Sequence, residues 1–223
     1  MIKLVNELNE KSFKIVVVND GSSSKYNTIF EPISSIAHVI SYENNYGKGY
    51  ALKQGLKYIK ESYIGNYIVV TLDCDGQHTV KDAKRLCNIA QKNPNAIITG
   101  KRIRGKHTPI RSRLGNSITR LLYHIATGIN IYDTQTGLRA FNNNLIDTLL
   151  NISGDRYEYE MNVLLILPSR GIKIIEIEIE VIYIDNNSGS HFNTVTDARR
   201  IFKQILKFML KGDKNIWNTD YLV

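Results

Sequence analysis

The apolar run at residues 67–72 ends in two carboxylates, Asp73 and Asp75, and this junction constrains the fold more than any other feature. A continuous apolar run of this length predicts a buried strand. In α/β proteins, ligands bind in the crevice at the carboxyl ends of parallel strands, where these acids would lie. Because neighbouring carboxylates repel each other, we expect a divalent cation between them, shared with a diphosphate. Ordinary turn or N-cap acids are the alternative.

Composition places the chain among single-domain α/β proteins. Its 223 residues are 43% hydrophobic, and helical patterns alternate with short strands. We expect a main domain at residues 1–195 and an amphipathic helix with a tail at 196–223. No apolar run reaches the roughly 18 residues that cross a bilayer, and no signal-peptide region is evident. Two cysteines make no disulfide framework, which predicts a cytoplasmic location.

The formal net charge of +8 favours anionic partners, with solubility alone as the alternative. Residues 101–113 contain six Lys or Arg and are predicted to form a basic loop. The last helix, predicted at 196–211, carries cations at four-residue steps, namely Arg199, Lys203, Lys207 and Lys211. Its other side carries Ile201, Phe202, Ile205, Phe208 and Met209. Such a helix can lie on an anionic membrane surface or pack on the domain with a solvated basic face.

Alternation at residues 173–183 predicts a half-buried strand. Isoleucines fall on one face, and the other face carries Glu176, Glu178 and Glu180, which we expect to be solvated. Two further acids, Glu158 and Glu160, lie in the first turn of a predicted helix, where the helix dipole stabilises negative charge.

Two more strand-to-helix junctions carry polar residues. Asp20 follows the strand that begins near residue 13, and Gly47, Lys48 and Gly49 precede a helix. The glycines permit close backbone approach to a ligand, and Lys48 adds a positive charge near a helix N-terminus. The glycine spacing matches neither the P-loop nor the dinucleotide fingerprint.

These motifs, in this order, resemble the family 2 glycosyltransferases, and in particular the dolichyl-phosphate and bactoprenyl-phosphate sugar synthases. The matching stretches lie at residues 18–22, 45–49, 73–78, 100–102, 133–139 and 190–192. The resemblance implies the GT-A fold, a Rossmann-like and mostly parallel sheet with helices on both faces. It also implies an inverting transfer from a nucleoside diphosphate sugar, assisted by Mg²⁺ or Mn²⁺.

Residue roles on the donor side follow from the same resemblance. Asp20 is expected to contact the base, and Lys48 and Asp73 to bind the donor. Asp75 is expected to be the principal metal ligand, with Asp73 and Gln77 beside it.

The acceptor is either a polyprenyl phosphate or a growing glycan. A lipid phosphate needs cations, and the candidates are Arg102, Arg111 and Arg113 on the basic loop and His191 in the stretch at 190–192. A merely solvated basic loop is the alternative. A sugar hydroxyl needs a general base, for which Asp133 matches the family pattern, so the expected catalytic residues are Asp133 and Arg102. Arg139 is expected to fix the Asp133 loop through an ion pair.

The family pattern breaks at the N-terminus, because family members begin with a strand and a Pro-x-Tyr-Asn-Glu loop. Residues 2–10 look like the helix that follows this loop. We therefore expect weak donor binding and a homodimer paired through an exposed strand edge. Asn19 stands where the family has an acid. An inactive binding module that keeps the fold is the alternative to an enzyme, and the chain lacks nucleic-acid-binding motifs.

Overall fold

The computed structural model describes residues 1–102, 110–180 and 196–212, without the side chains of 110–116 and 196–198. The helices are α1 (Ile2–Glu10), α2 (Asn27–Phe30), α3 (Lys48–Ser62), α4 (Val80–Lys92), α5 (Ile110–Thr127), α6 (Ile146–Leu150), α7 (Glu158–Ser169) and α8 (Thr196–Lys211). The strands are β1 (Val16–Asp20), β2 (His38–Tyr42), β3 (Ile68–Thr71), β4 (Ala96–Arg102), β5 (Arg139–Asn142) and β6 (Lys173–Ile179). Short 3₁₀ turns lie at Ser24–Tyr26, Glu31–Ile33 and Asn143–Leu145.

The described strands form two sheets. In the first, β1 and β2 pair in parallel. In the second, the order is β3-β5-β4-β6, and β5 runs antiparallel to both of its neighbours while β4 and β6 are parallel. Three of these four strands therefore point the same way, and β3 and β4 both end near residues proposed for the site.

Helices cover both faces of the four-stranded sheet. On one face, the apolar side of α4 packs Ala83 and Leu86 against Ile98 and Ala140. On the opposite face, α7 is buried along almost its whole length and meets Ile97 and Phe141. Adjacent residues of β4 and β5 thus serve opposite cores, as expected for strands whose side chains alternate between faces. The predicted α/β fold is confirmed.

The N-terminal helix α1 joins the two sheets through its apolar side. Leu4 and Leu8 pack against Val80 of α4, with Ile15 and Leu72 partly buried beside them. Val5 packs instead with Val17 of β1 and Ile33. The prediction of a helix at residues 2–10 is confirmed.

Three predicted boundaries are wrong. The strand expected to begin near residue 13 begins at Val16, and Asp20 is its last residue. The basic loop expected at residues 101–113 is shorter, because Lys101 and Arg102 extend β4 and α5 already begins at Ile110. Arg102 is therefore fixed at the end of a paired strand, opposite Ile179 of β6. The strand expected to reach residue 183 ends at Ile179, and residues 181–183 lie outside the described part of the chain.

The C-terminal helix α8 packs on the domain through part of its apolar side. Ile201 and Ile205 are buried in the main core, and Phe208 is partly buried against it. Phe202 and Met209 remain exposed. Within the three described ranges, no helix is both long and apolar enough to traverse a bilayer. Division of the chain at residue 195 stays a prediction.

Candidate active site

The carboxylate of Asp73, two residues after β3, is held by a lysine from α3. Lys48 Nζ lies 2.7 Å from Asp73 Oδ1 and 2.9 Å from Glu160 Oε2. His78 Nε2 approaches the other oxygen of Asp73 at 3.6 Å. Three elements that are distant in sequence therefore meet at one cation. The pairing of Lys48 with Asp73 was not predicted, and the donor-binding roles of both residues stay predictions.

Mutual attraction overrides burial in this cluster. Burial alone would lower the pKa of Lys48, but the carboxylates of Glu160 and Asp73 raise it above its ordinary value. Burial would raise the pKa of Asp73, but Lys48, with His78 beside it, holds that pKa well below its usual range. The lysine is thus a firmly protonated cation and Asp73 a firmly ionised anion.

Glycines give Lys48 its position, because they permit close contact with α7 and the segment before it. The predicted close approach to a ligand stays a prediction. Gly47 caps α3 with φ of 110°, a conformation that side-chain-bearing residues avoid. A Cβ on Gly49 would overlap Tyr159 of α7, so only glycine lets α3 approach that helix here. Asp20 fixes the turn from the other side, because its carboxylate accepts the backbone N–H groups of Tyr46 at 2.9 Å and Gly47 at 2.8 Å.

A group of tyrosines surrounds this turn. The ring centroids of Tyr46 and Tyr50 lie 4.8 Å apart, and Tyr42 lies 5.6 Å from Tyr46. Burial and the nearby Asp20 carboxylate raise the pKa of Tyr42 above its usual value. Tyr46 is exposed, so the group offers an aromatic surface beside Asp20.

Asp75 differs from Asp73 in being exposed. Its Oδ1 accepts the backbone N–H of Gln77 at 3.0 Å, which closes the turn that Gly76 permits with φ of 85°. The Gln77 side-chain oxygen accepts from Arg102 Nη1 at 3.4 Å. No cluster of three or more His, Cys, Asp or Glu suited to a metal occurs among residues 1–102, 110–180 and 196–212.

Carboxylate and amide oxygens of this kind nevertheless fit a magnesium or manganese ion. Such ions keep several waters and are held by one or two carboxylates together with substrate phosphates, rather than by an all-protein cage. The exposed Asp75 and the Gln77 oxygen supply hard ligands of that type at one turn. Asp73 is less open, since Lys48 already neutralises it.

Asp133 and Arg102 bind each other through two parallel hydrogen bonds. Arg102 Nε donates to Asp133 Oδ2 at 2.7 Å, and Nη2 donates to Oδ1 at 3.2 Å. The Asp133 side chain has no exposed surface. The sequence predicted both residues in the site without predicting that they pair, and a fork-to-carboxylate contact fixes the guanidinium in one orientation.

The loop that carries Asp133 packs directly on Asp73. A Cβ on Gly137 would overlap the Asp73 carboxylate. Thr71 of β3 donates its hydroxyl hydrogen to the Gly137 carbonyl at 2.9 Å, and Arg139 Nε donates to the Thr136 carbonyl at 3.2 Å. Arg139 Nη2 also lies 4.0 Å from Glu160 Oε1. Arg139 therefore contacts the loop through a hydrogen bond to a carbonyl, and its ion pair is made with Glu160 of α7.

Three predicted phosphate ligands cannot be placed. Arg111 and Arg113 fall in the first turn of α5, whose side chains lie outside the described residues, as does His191 at 181–195. Their roles stay predictions.

Sequence reasoning missed two acids of this site. Glu160 is buried and binds Lys48, whereas the helix-dipole interpretation gave it no partner. The prediction of a solvated face on β6 holds for Glu178 and is wrong for Glu176, which accepts backbone N–H groups of Tyr132 and Asp133. No local pattern distinguishes Glu176 from its neighbours. A lysine placed in the site by the glycine-rich turn needs a counter-ion, and this need was the available signal for Glu160.

Comparison with known sequences gives one consistent family. Residues 1–150 match the family model described as glycosyl transferase family 2. A UDP-N-acetylglucosamine–dolichyl-phosphate N-acetylglucosaminyltransferase of Methanococcus voltae is 28% identical over 236 residues, covering 96% of this chain and 92% of the relative. A dolichyl-phosphate β-glucosyltransferase of Dictyostelium discoideum is 26% identical over 237 residues, covering 97% and 69%.

Comparison with solved structures supports the fold. The crystal structure of mannosyl-3-phosphoglycerate synthase from Rubrobacter xylanophilus superposes with a TM-score of 0.62 at 15% identity. The superposition covers 92% of this chain and 68% of that one. The predicted GT-A architecture is therefore confirmed.

Proposed function

This chain belongs to glycosyl transferase family 2, and from that premise we propose that it transfers a sugar from a nucleoside diphosphate sugar to a polyprenyl phosphate. The names of both relatives specify dolichyl phosphate as the acceptor. The observation that carries the proposal is the pair of Arg102 and Asp133, which presents an oriented guanidinium where the family pattern would otherwise supply a base.

The pairing favours a lipid phosphate over a glycan. Asp133 is fully buried and both of its oxygens accept from Arg102, so it is poorly placed to take a proton from a sugar hydroxyl. A lipid phosphate is already an anion and needs no such base. Arg102 would hold that phosphate, and Arg111, Arg113 and His191 are proposed to assist it.

The donor would bind between β1 and β3. We assign the base to the aromatic surface of Tyr42, Tyr46 and Tyr50, because flat rings beside Asp20 suit a stacked nucleobase. Asp20 would act mainly by holding the turn before Lys48. Lys48 would face the diphosphate from the start of α3, where helix N–H groups also favour anions.

Asp75 and Gln77 would hold a Mg²⁺ or Mn²⁺ ion, with Asp73 near it. When bound, the ion would neutralise the charge that grows on the leaving diphosphate. Asp75 is the primary ligand in this proposal, since Lys48 already occupies Asp73. Arg102 reaches the same turn through Gln77, which brings acceptor and donor phosphates together.

The proposed reaction inverts the anomeric carbon in one displacement. An oxygen of the acceptor phosphate attacks that carbon, and the bond between carbon and the diphosphate oxygen breaks. The nucleoside diphosphate leaves with the electron pair, so no proton has to be removed from the acceptor. The residues of the chain orient the two phosphates and screen their mutual repulsion.

We place the protein peripherally on the inner face of the plasma membrane. Apolar side chains of α8 and α5 are exposed although they are large, namely Phe202, Leu206, Met209, Leu210, Ile118, Leu121 and Ile125. Cations at Arg199, Lys203 and Lys211 are exposed on α8 as well. Apolar and basic surface on one helix suits an anionic bilayer.

Vesicle co-sedimentation tests this placement. Reversing Lys203, Lys207 and Lys211 to glutamate is expected to abolish binding to vesicles rich in anionic lipid. The matched control reverses the exposed Lys57, Lys84 and Lys92, which changes net charge equally and is expected to weaken binding far less. Equal loss in both variants would refute a specific surface. Homodimer formation through an open strand edge stays a prediction.

The reaction is tested by acceptor-dependent release of nucleoside diphosphate. The full chain is incubated with Mg²⁺, one of UDP-N-acetylglucosamine, UDP-glucose or GDP-mannose, and either dolichyl phosphate or dolichol. We expect release of nucleoside diphosphate with dolichyl phosphate and none with dolichol. The rate of release should fall at least ~100-fold in Asp75→Ala. Equal release with dolichol would contradict the acceptor, and full activity of Asp75→Ala would contradict the metal site.

A further inference from the structure

The carboxylate of Glu176 accepts hydrogen bonds from the backbone of the loop that carries Asp133. Its Oε2 accepts the N–H of Tyr132 at 2.8 Å, and its Oε1 accepts that of Asp133 at 2.9 Å. Glu176 lies on β6, opposite Thr99 of β4. The strand that ends in Arg102 therefore has this glutamate on its neighbour, close to the partner of Arg102.

We propose that Glu176 is a positioning residue for the transfer, which fixes Asp133 and through it the guanidinium of Arg102. This inference rests on the proposed function, because it assigns Arg102 to the acceptor phosphate. The Arg102 guanidinium donates two hydrogen bonds to the Asp133 carboxylate, which fix its position. A displacement of the Asp133 backbone would thus move or free the cation.

The contacts continue from Glu176 to the metal turn. Glu176 holds Asp133, Asp133 holds Arg102, Arg102 donates to Gln77, and the backbone N–H of Gln77 donates to Asp75. Each link is a hydrogen bond between described atoms. One half-buried glutamate on β6 therefore connects the acceptor cation with the donor turn.

Other contacts hold the same loop without reaching Asp133 itself. Arg120 Nε donates to the Ile131 carbonyl at 2.9 Å, and Arg139 holds the Thr136 carbonyl. Glu176 accepts the N–H of Asp133 itself. Removing the Glu176 carboxylate should loosen the loop backbone at Tyr132 and Asp133, while Arg120 and Arg139 keep the rest attached.

A carboxylate suits this position better than a neutral amide. Two N–H groups converge on Glu176, and an anion accepts both in charge-assisted hydrogen bonds. Glutamine would place an NH₂ group against one of them. The negative charge is also felt nearby, since burial and then Glu176 raise the pKa of Tyr123 to about 12, although a hydrogen bond with Thr127 opposes this.

Hydrogen exchange tests the two hydrogen bonds to Glu176 directly and does not require enzymatic activity. In Glu176→Gln, the amides of Tyr132 and Asp133 are expected to exchange at least ~10-fold faster than in the unaltered chain. Glu178→Gln is the matched control, because Glu178 is exposed on the same strand, and it should leave their exchange unchanged. Unchanged exchange in Glu176→Gln would overturn the inference.

A double-mutant cycle tests the positioning role. Glu176→Gln is expected to lower kcat about 10-fold while leaving the Kd for the nucleoside diphosphate unchanged. Combined with Asp133→Asn, it should add little to the loss caused by Asp133→Asn alone, because both act through Arg102. If the fold-loss in kcat of the double variant equals the product of the two single losses, the two residues act independently, and the inference is overturned.

The outcomes separate the two proposals. Wild-type kcat in Glu176→Gln together with a strong defect in Asp133→Asn overturns the role of Glu176 and leaves the proposed function standing. Absence of any transfer to dolichyl phosphate refutes the proposed function. Hydrogen exchange still decides in that case whether Glu176 holds the loop.

Discussion

The ammonium group of Lys48 lies 2.7 Å from the carboxylate of Asp73. This pair joins the start of α3 to the turn after β3, and Glu160 completes it from α7 at 2.9 Å. The two aspartates therefore differ in their surroundings, because Asp73 is bound by Lys48 whereas Asp75 is exposed to solvent. It also gives Lys48 a structural role that can be measured separately from catalysis.

Replacing Lys48 with methionine is expected to destabilise the fold by about 3 kcal/mol. The change would leave Asp73 and Glu160 close together without their shared cation, and the unpaired buried charge is the main cost. Urea unfolding of both proteins at pH 7 measures the difference.

Lys60→Met is the matched control for this measurement. Lys60 pairs with Asp147, but both side chains are more than half exposed, so the expected cost is below ~1 kcal/mol. A Lys48→Met cost as small as that of the control would contradict the account.

Acid should weaken the fold through Asp73. Its folded-state pKa is held below the unfolded value of about 3.9, so its contribution is present above that pH and is lost as pH falls below it. We expect the free energy of unfolding to fall less steeply below about pH 4 in Asp73→Asn than in the unaltered chain. Urea unfolding across this range measures both slopes, and equal slopes would show that Asp73 is not the group responsible.

Gly137→Ala is expected to damage the site where the Asp133 loop meets Asp73. The added Cβ would overlap the Asp73 carboxylate, and we expect a loss of about 1–3 kcal/mol in stability together with weaker donor binding. Gly55→Ala is the control, because a Cβ there meets Val18 at an ordinary 3.4 Å within a helix. That change should be neutral or stabilising. Thermal unfolding and nucleotide titration distinguish the two, and an unaffected Gly137→Ala would contradict the close packing.

The thiol of Cys87 is expected to resist alkylation. Burial raises its pKa to about 11, so roughly one molecule in a thousand carries the thiolate at pH 8. In a Cys74→Ser background, the rate of iodoacetamide labelling should rise about tenfold per pH unit until near that pKa. Rapid labelling at pH 8 would show that α4 opens or packs differently.

The local parts of the fold could be predicted because they depend on neighbouring residues. The apolar run before Asp73 predicted a strand, and the glycines around Lys48 predicted a helix start beside them. The charged partners could not be predicted in the same way. Lys48 and Glu160 are more than a hundred positions apart, and no periodicity links them.

Glu176 shows why a correct strand prediction can give a wrong environment. Alternation identifies which residues share a face, and the isoleucines at 175, 177 and 179 do pack together. It does not show what covers the other face. Here the backbone of Tyr132 and Asp133 covers that face at Glu176 and leaves Glu178 exposed. These two residues lie more than forty positions before Glu176, so no local pattern predicts the contact.

The most direct test of the account is the phase in which a labelled sugar is recovered. The full chain is incubated with a radiolabelled nucleotide sugar, Mg²⁺, dolichyl phosphate and a soluble glycan acceptor together, and the product is partitioned between organic solvent and water. We predict that the label enters the organic phase, and that Arg102→Ala and Asp75→Ala each abolish this transfer. Label recovered in a water-soluble glycan, with the organic phase empty, would contradict the assignment of a lipid phosphate acceptor.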